Sequence, residues 1–597
     1  MMKWLRYSLW IAGFVILLLW LAQHAVPSGG SSEPRAAAQL LPPAPYPVDL
    51  EQQLARLQDA DISLQAESEL PPDLPWQSSS DAPPVGSPEA CRGGTLRLSN
   101  VGPFPSNFLA FGSVSPQFFH YNLFERIDIP LVWEHPATGQ EMPGLAEAWC
   151  VYGESVFFRL NPLARYSNGR PVRARDFALG ALLRRKAGIV PGFKALRIYG
   201  DSVVEVSLTG TGIEPVICAA RLLHPAEPGF YAEFSGNYAE LYAQRIPPTT
   251  GAYTVSEIQR GRLIALERVP NWWGDSLPAF RHMYNIQRIE HHFLADEAQA
   301  WEMFRNGRLD IMQTRNIAAW QTKPESIPAA QDGRIALHCL RLQCPMPPYG
   351  IALNAQALPE VELRRGIMQA LDMDKVVEVL FRGYAERLRQ FSSGYRQLTH
   401  STDTYSFNPA AARACFARAG YTEAGADGIL RRPDGTRLSV RFSFTPSDKL
   451  NTIASQLAQS AAACGLELIP EPLPWQNISK QLREGSHQLT FWATMPDYPL
   501  PEYERFFHSS ATGYDAPFRL NSSEMDAAIA RVKQARTREE AAAACAQVDE
   551  LIHREAVWLP GWMENHALIA AWQHVHIPQH YSGSYDIAES HQLWVSP

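Results

Sequence analysis

The chain is predicted to be a mixed α/β protein of more than one domain, and three observations lead there. Its 597 residues exceed what a single hydrophobic core covers, so two or three folding units are expected. Apolar residues make up 46% and charged residues 19%, an ordinary globular balance, so most of the chain should fold. Runs of strand length, such as Ser155–Leu160 and Val203–Leu208, are interleaved with helix-type stretches such as Asp176–Lys186 and Leu450–Cys464, the alternation of α/β architecture. The net charge of -8 supplies no basic face and argues against nucleic-acid binding.

Residues 1–25 pair Lys3 and Arg6 with an apolar run from Leu9 to Ala22, the charged and apolar regions of an export signal. Two readings are open, a cleaved signal peptide or a retained membrane anchor, because the run is short for a bilayer span and no small-x-small site follows it directly. No cysteine follows it to carry a lipid. Both readings place the remainder outside the cytoplasm. Residues 26–90 carry twelve prolines among Ser, Gly and Ala, broken by a short helical pattern near Leu50–Gln65, and are expected to be a flexible linker.

The eight cysteines are scattered, and without a CxxC they offer no metal spacing. Cys339 and Cys344 flank a short turn-capable segment and form the candidate disulfide, whereas Cys415, Cys464 and Cys545 read as small apolar residues on alanine-rich helices.

The folded part is expected to open with a strand at Gly93–Leu98 and a loop, Ser99–Leu109, that holds Phe104 between two prolines. A helix end at Gly144–Glu147 precedes the strand Ser155–Leu160, turns at Asn161-Pro162 and Ser167-Asn168-Gly169, and a helix from Arg173. Gly251 is expected to permit a tight turn before the next strand. Ile286–Phe293 reads as a strand and Asp296–Asn306 as a helix. In the second half Tyr349–Leu353 is a strand and Val361–Asp372 an amphipathic helix. Asn408 caps a helix that stops at Gly420, and turns at Asp427-Gly428 and Pro433-Asp434-Gly435 mark a hairpin. Leu450–Cys464 and Leu466–Pro470 continue a β-α-β unit, and two helices span Met525–Glu550.

Leu145-Ala146-Glu147, Phe158, Leu160, Tyr166, Asn168-Gly169, Pro171-Val172 and Asp176-Phe177 fall in register with the signature of family 5 extracellular solute-binding proteins, which the chain resembles. These are the oligopeptide- and dipeptide-binding components of ABC importers. Ile246 to Val255, Leu266 to Gly274, Gly307 to Ile311 and Phe407 to Tyr421 resemble further elements of that family, and Gly274 to Pro278 with Arg281, Tyr284 and Asn285 is similar to its microcin-C-type subgroup. The resemblance runs from Gly93 to about Ala570.

It implies a two-lobed periplasmic-binding-protein-like fold of the type II, large peptide-binder class. Lobe 1 would comprise residues 91–345 with a return through 557–597, and lobe 2 residues 346–556. The implied function is capture of an oligopeptide or peptide-like compound in the periplasm and delivery to an ABC permease of the inner membrane by hinge closure. The chain would act as a monomer, either soluble or tethered through residues 7–25, with no cofactor, no metal and no nucleic acid.

A peptide brings an ammonium group, and a carboxylate must neutralise it in a closed cleft. In peptide-binding relatives that group is an aspartate after a strand, and Asp497 stands at the matching place with Trp492 and Tyr498 as cleft walls, although one or two residues are inserted here. Phe104 would face the cleft or pack between its prolines. Trp320, Trp475 and Trp562 lie in expected loops or near the hinge, where they would stack on ligand or pack in a core. As an enzyme the chain has little to offer: it holds no P-loop, HExxH, G-x-S-x-G or EF-hand pattern. The adjacent His291 and His292 would point to opposite faces of a strand. A cell-wall-peptide hydrolase and a membrane-tethered sensor reusing the binding fold are the alternatives.

Overall fold

The structure, a computed structural model, describes residues 61–596 apart from 80–82, 112–126, 137, 188, 190–191, 210–212, 233–236, 315, 325–326, 343–346, 396–397, 399–404, 495–499 and 579–589. The expected signal or anchor segment and the linker as far as residue 60 lie outside the described residues. Among the described residues thirteen strands come first along the chain: β1 (Ile62–Gln65), β2 (Gly93–Val101), β3 (Val132–Glu134), β4 (Glu141–Pro143), β5 (Ala146–Tyr152), β6 (Ser155–Leu160), β7 (Phe193–Tyr199), β8 (Val203–Leu208), β9 (Tyr253–Gln259), β10 (Leu263–Arg268), β11 (Ile286–Leu294), β12 (Ile311–Thr314) and β13 (Ile335–Arg341). Then come β14 (Tyr349–Leu353), β15 (Glu386–Arg387), β16 (Glu423–Ala424), β17 (Leu430–Arg431), β18 (Ser439–Phe444), β19 (Glu467–Pro472), β20 (Leu489–Ala493), β21 (Trp558–Met563), β22 (His566–Trp572), β23 (Val575–His576) and β24 (Trp594–Val595).

Lobe 1 is built on a five-stranded sheet of order β1-β7-β8-β6-β5, a four-stranded sheet of order β2-β11-β10-β9 and a three-stranded sheet of order β12-β22-β13. One core runs through all three, with Leu96, Phe158, Phe177, Leu196, Ile264, Ile286 and Ile569 buried in it. The expected helix end at Gly144–Glu147 is instead the start of β5. Ala146 pairs with Leu160 across a bulge, and a Cβ at Gly144 would lie 2.1 Å from the carbonyl oxygen of Pro130. The small residues there admit a close backbone approach and do not end a helix.

The expected flexible linker is also shorter than its composition suggests. β1 adds to the five-stranded sheet in parallel with β7, Ile62 opposite Leu196. From that edge the chain crosses the sheet's outer face, where Leu70, Leu74 and Trp76 pack on Cys150, Phe157, Tyr199 and Val203. It reaches the opposite edge at Gln77, which exchanges two 2.9 Å backbone hydrogen bonds with Trp149 of β5. The Trp76 ring also takes the Arg159 guanidinium 4.2 Å from its centroid. This strap explains why Val156-Phe157-Phe158 is apolar in unbroken sequence: Phe158 faces the lobe core and Phe157 faces the strap, so β6 is covered on both sides.

Lobe 2 is one six-stranded mixed sheet of order β15-β21-β14-β20-β18-β19. Helices Val361–Ala370, Met373–Phe381, Pro409–Arg418 and Asp448–Ala463 cover one face, and Ser523–Gln534 and Arg538–Arg554 the other. Asn408, Ser447, Ser522 and Thr537 each accept a backbone N–H at the start of a helix, the cap expected of these residue types. Cys415, Cys464 and Cys545 are buried at the helix positions where their alanine-rich surroundings placed them.

The chain crosses between the lobes twice, from β13 to β14 and from β21 to β22. The second crossing lies at Glu564-Asn565, a few residues later than the expected boundary at 556–557, because β21 pairs with β14 and β15 before the chain leaves lobe 2.

Candidate ligand-binding site

Three strand ends meet where the chain crosses. β14 runs antiparallel to both β20 and β21, so its first residue, Tyr349, lies opposite Ala493 near the end of β20 and opposite Trp562 near the end of β21. Side chains of alternate residues share a face, and Tyr349, Phe491 and Trp562 therefore line up. Their rings form a mutually adjacent triad, in which Phe491 and Trp562 also stack with centroids 5.7 Å apart and planes 25° apart. Tyr349 and Trp562 stack with centroids 5.5 Å apart and planes 12° apart, and Tyr349 and Phe491 with centroids 6.0 Å apart and planes 14° apart. Trp562 is buried, whereas Tyr349 and Phe491 keep part of their surface in solvent. Two partly exposed rings backed by a buried one and held by strand register are a stiff apolar platform that costs little entropy to use.

The platform has a charged corner. Glu564, the first residue after β21, accepts the Trp562 indole N–H at 3.1 Å and the Lys449 ammonium at 2.6 Å on the same Oε1. The Lys449 nitrogen also lies 5.4 Å from the centroid of Phe381, whose ring packs on Trp562 at 5.0 Å. Lys449 is positioned by the first turn of the helix Asp448–Ala463, and Ser447 caps that turn. Thus a helix start, a strand end and the crossover fix one carboxylate and one ammonium beside the aromatic triad.

Lobe 1 meets lobe 2 at the same place. Ile317 packs against the cores of both lobes, Arg382 donates to Gln321 at 2.7 Å, and the Asn565 amide donates to Glu386 at 2.6 Å.

The sequence-derived site residues are distributed unevenly around this point. Asp497 and Tyr498 lie outside the described residues, in the segment that follows β20 directly. Trp492 belongs to β20 one residue from Phe491 and so faces the other side of the sheet. It is 7% exposed there, against Phe506 at 5.9 Å, with its indole nitrogen buried and without a hydrogen-bond partner. Phe104 sits in lobe 1, its ring 4.7 Å from Phe293 and 6.5 Å from Phe108. Trp320 is on a short helix, Ile317–Thr322, in the cluster of Trp301, Phe304 and Leu568. Trp475 is half exposed at the start of the helix Trp475–Glu484.

Of the residues noted for the hinge, Trp562 joins the platform. Tyr349 and Phe491 carry no sequence signal of their own, since only the antiparallel register of two distant strands puts them side by side. His291 and His292 alternate on β11 and bond separately, to Asn100 at 3.1 Å and to Glu290 at 3.2 Å. Among the described residues no cluster of His, Cys, Asp and Glu could hold a metal ion. Cys339 is exposed on β13, and Cys344 lies outside the described residues.

Known proteins resemble the chain in sequence and in fold. The profile described as bacterial extracellular solute-binding proteins, family 5 Middle, matches residues 140–514. A binding protein of Brucella melitensis is 25% identical over 250 residues, which are 40% of each chain, so the match spans less than half the length of that relative. The probable peptide-binding protein YejA of Agrobacterium fabrum is 22% identical over 550 residues, 81% of this chain and 86% of that one. Among solved structures, the oligopeptide-binding protein AppA of Bacillus subtilis in complex with a nonapeptide superposes with a TM-score of 0.64 at 16% identity, over 85% of this chain and 100% of the other. At that identity the likeness speaks for the two-lobed fold.

Proposed function

Because the chain belongs to the family 5 bacterial extracellular solute-binding proteins, we propose that it captures an oligopeptide or peptide-like compound outside the cytoplasm and hands it to an ABC permease by closing its lobes. The observation that carries this reading is the aromatic platform of Tyr349, Phe491 and Trp562 at the double crossover, where a hinge motion would bring lobe 1 down on a bound molecule. Closure expels water, and the remaining polar contacts strengthen in the lower dielectric. The peptide-binding names of YejA and AppA agree with a peptide ligand.

In this reading Asp497, one short segment beyond β20, takes the ligand ammonium, with Tyr498 beside it, whereas Trp492 packs against Phe506 on the sheet face away from Phe491. Tyr349 and Phe491 support the ligand from below, and Phe104 and Trp320 belong to the lobe 1 side. The protein works as a monomer in the periplasm. Residues 1–25 deliver it there and either are removed or hold it at the inner membrane. Among the described residues no helix is long and apolar enough to cross a membrane.

The test is thermal unfolding of the purified chain with a library of short free-amine peptides, followed by mass spectrometry of the mixture. Binding to the folded state raises the midpoint by mass action. Peptides recovered intact with a raised midpoint support the reading. No shift across the library removes the peptide class, and cleaved peptides replace binding by hydrolysis.

A further inference from the structure

The lobes also touch at a second place that shares no residue with the crossover. In lobe 1, Ile213 is 4% exposed just before the helix Pro215–Leu222, and it packs with Ala535, Ala541 and Leu500 of lobe 2. Beside it the Glu214 carboxylate pairs with the Arg538 guanidinium. Arg538 opens the helix Arg538–Arg554, and Ala535 follows the helix Ser523–Gln534, so the lobe 2 half of the contact is the joint between two helices packed on the sheet. Glu214 is held in the left-handed region at φ 45°, where a residue other than glycine is uncommon. That backbone aims its side chain across the gap between lobes while Pro215 starts the next helix. The contact therefore pairs a small apolar plug with one ion pair at its rim.

We infer that Ile213 and Glu214 of lobe 1 and Ala535, Arg538 and Ala541 of lobe 2 form a latch that sets the balance between open and closed lobes independently of any ligand contact. Two lobes joined by two crossover segments interconvert, and each contact present only in the closed form shifts the ratio toward it. The apparent affinity for a ligand then scales with the fraction of closed-competent molecules. A partly exposed ion pair of this kind is sensitive to salt. The inference rests on the hinge-closing reading, and its test needs no ligand.

Spin labels placed at Lys194→Cys in lobe 1 and Lys480→Cys in lobe 2, in a chain with Cys91, Cys218, Cys339 and Cys344 replaced by Ser, report the distance between lobes by pulsed dipolar spectroscopy. We expect Glu214→Ala and Arg538→Ala each to lower the closed-to-open ratio about threefold. Ile213→Ser should lower it further, and the exchanged pair Glu214→Arg with Arg538→Glu should restore it. On the unsubstituted latch, raising ionic strength from about 0.01 M to about 1 M, which shortens the Debye length from about 30 Å to about 3 Å, should move the ratio the same way. The inference is overturned if neither salt nor substitution changes the distance distribution, or if the exchanged pair behaves like the single variants. A peptide library that binds nothing would count against the ligand class, while the inter-lobe distances alone would still decide whether the latch acts.

Discussion

The hydroxyl of Tyr166 donates to the Asp176 carboxylate, Oδ2, at 3.1 Å, and the same oxygen accepts the Arg173 backbone N–H at 2.9 Å. Both residues are buried in lobe 1, and the other carboxylate oxygen, Oδ1, is buried without a partner. Burial pushes the Asp176 carboxyl up to about 7, against the Arg173 amide and the Tyr166 hydroxyl, which favour its charged form. In the unfolded chain the same group titrates near the ordinary value of 3.8. Between these values the folded state holds more protons than the unfolded one. Stability should therefore fall as pH rises from about 4 to about 7, by at most about 1.4 kcal/mol per pH unit, and level off above. Asp128, pushed up by burial to about 6, adds to the slope in the same direction. Urea denaturation at stepped pH measures it, and Asp176→Asn should flatten it; an unchanged slope in that variant would assign the effect elsewhere.

Gly251 is set apart by space, because its φ is not among the left-handed ones. A Cβ there would sit 1.6 Å from the carbonyl oxygen of Ile127, and every atom it meets is backbone of Ile127 or Asp128, so no flexible side chain can yield. Gly251→Ala should cost about 3 kcal/mol or more, above the usual range for overpacking by one carbon, and lower the thermal midpoint. A variant that melts with the parent would show that Ile127 can move.

The N-terminal strap should act as part of lobe 1. Leu74 of the strap is 7% exposed against the sheet, so Leu74→Ala should destabilise by about 2–3 kcal/mol in chemical denaturation. Removing residues 1–79 would bare Phe157, Cys150 and Val203 and free the edge of β7, which invites self-association. Size-exclusion chromatography of that shortened chain reads the outcome, and a well-behaved monomer of parent stability would contradict the role.

Tyr349 stacks on both other rings of the platform. Tyr349→Leu keeps an apolar side chain and removes the stacking on both neighbours, each stack contributing about 0.5–1.5 kcal/mol. Fold stability should drop by about 1–3 kcal/mol with the two lost stacks, and peptide affinity by about threefold to tenfold with the lost ring surface. Calorimetric titration checks this, and unaltered affinity would move the ligand off the platform.

Asp497→Ala tests the ammonium contact most directly. A charged hydrogen bond of about 1.5–3 kcal/mol predicts a loss of at least tenfold for free-amine peptides and a much smaller loss for their N-acetylated forms. Equal affinity of variant and parent for free-amine peptides would remove the assignment.

How far the sequence could be read depended on how local each signal was. The strands at Ser155–Leu160, Val203–Leu208 and Tyr349–Leu353 and the helix after Asn408 stand where pattern and cap placed them, since period and capping are decided within one or two turns of chain. The turn at Asn161 and the Tyr166 to Asp176 contact, ten residues apart, also belong to a short and dense signature. The segment around Gly144 misled because small residues suit a helix end and a close strand crossing equally, and Pro130 and Leu160, which decide between them, come from elsewhere in the chain.

By itself, then, the sequence determined the family, the α/β character and most elements of both lobes, because those follow from short-range periodicity and a compact motif. Only the tertiary structure decided that a proline-rich stretch becomes a strap. Its few apolar residues, Leu70, Leu74 and Trp76, acquire value when the outer face of β6 lies beneath them. Likewise Tyr349, Phe491 and Trp562 are three scattered aromatic residues until antiparallel register stacks them, and Glu214 meets Arg538 only because the two lobes face each other. The physical reason is common to all three: burial and pairing between distant segments depend on where the chain returns, and no local window of sequence encodes that.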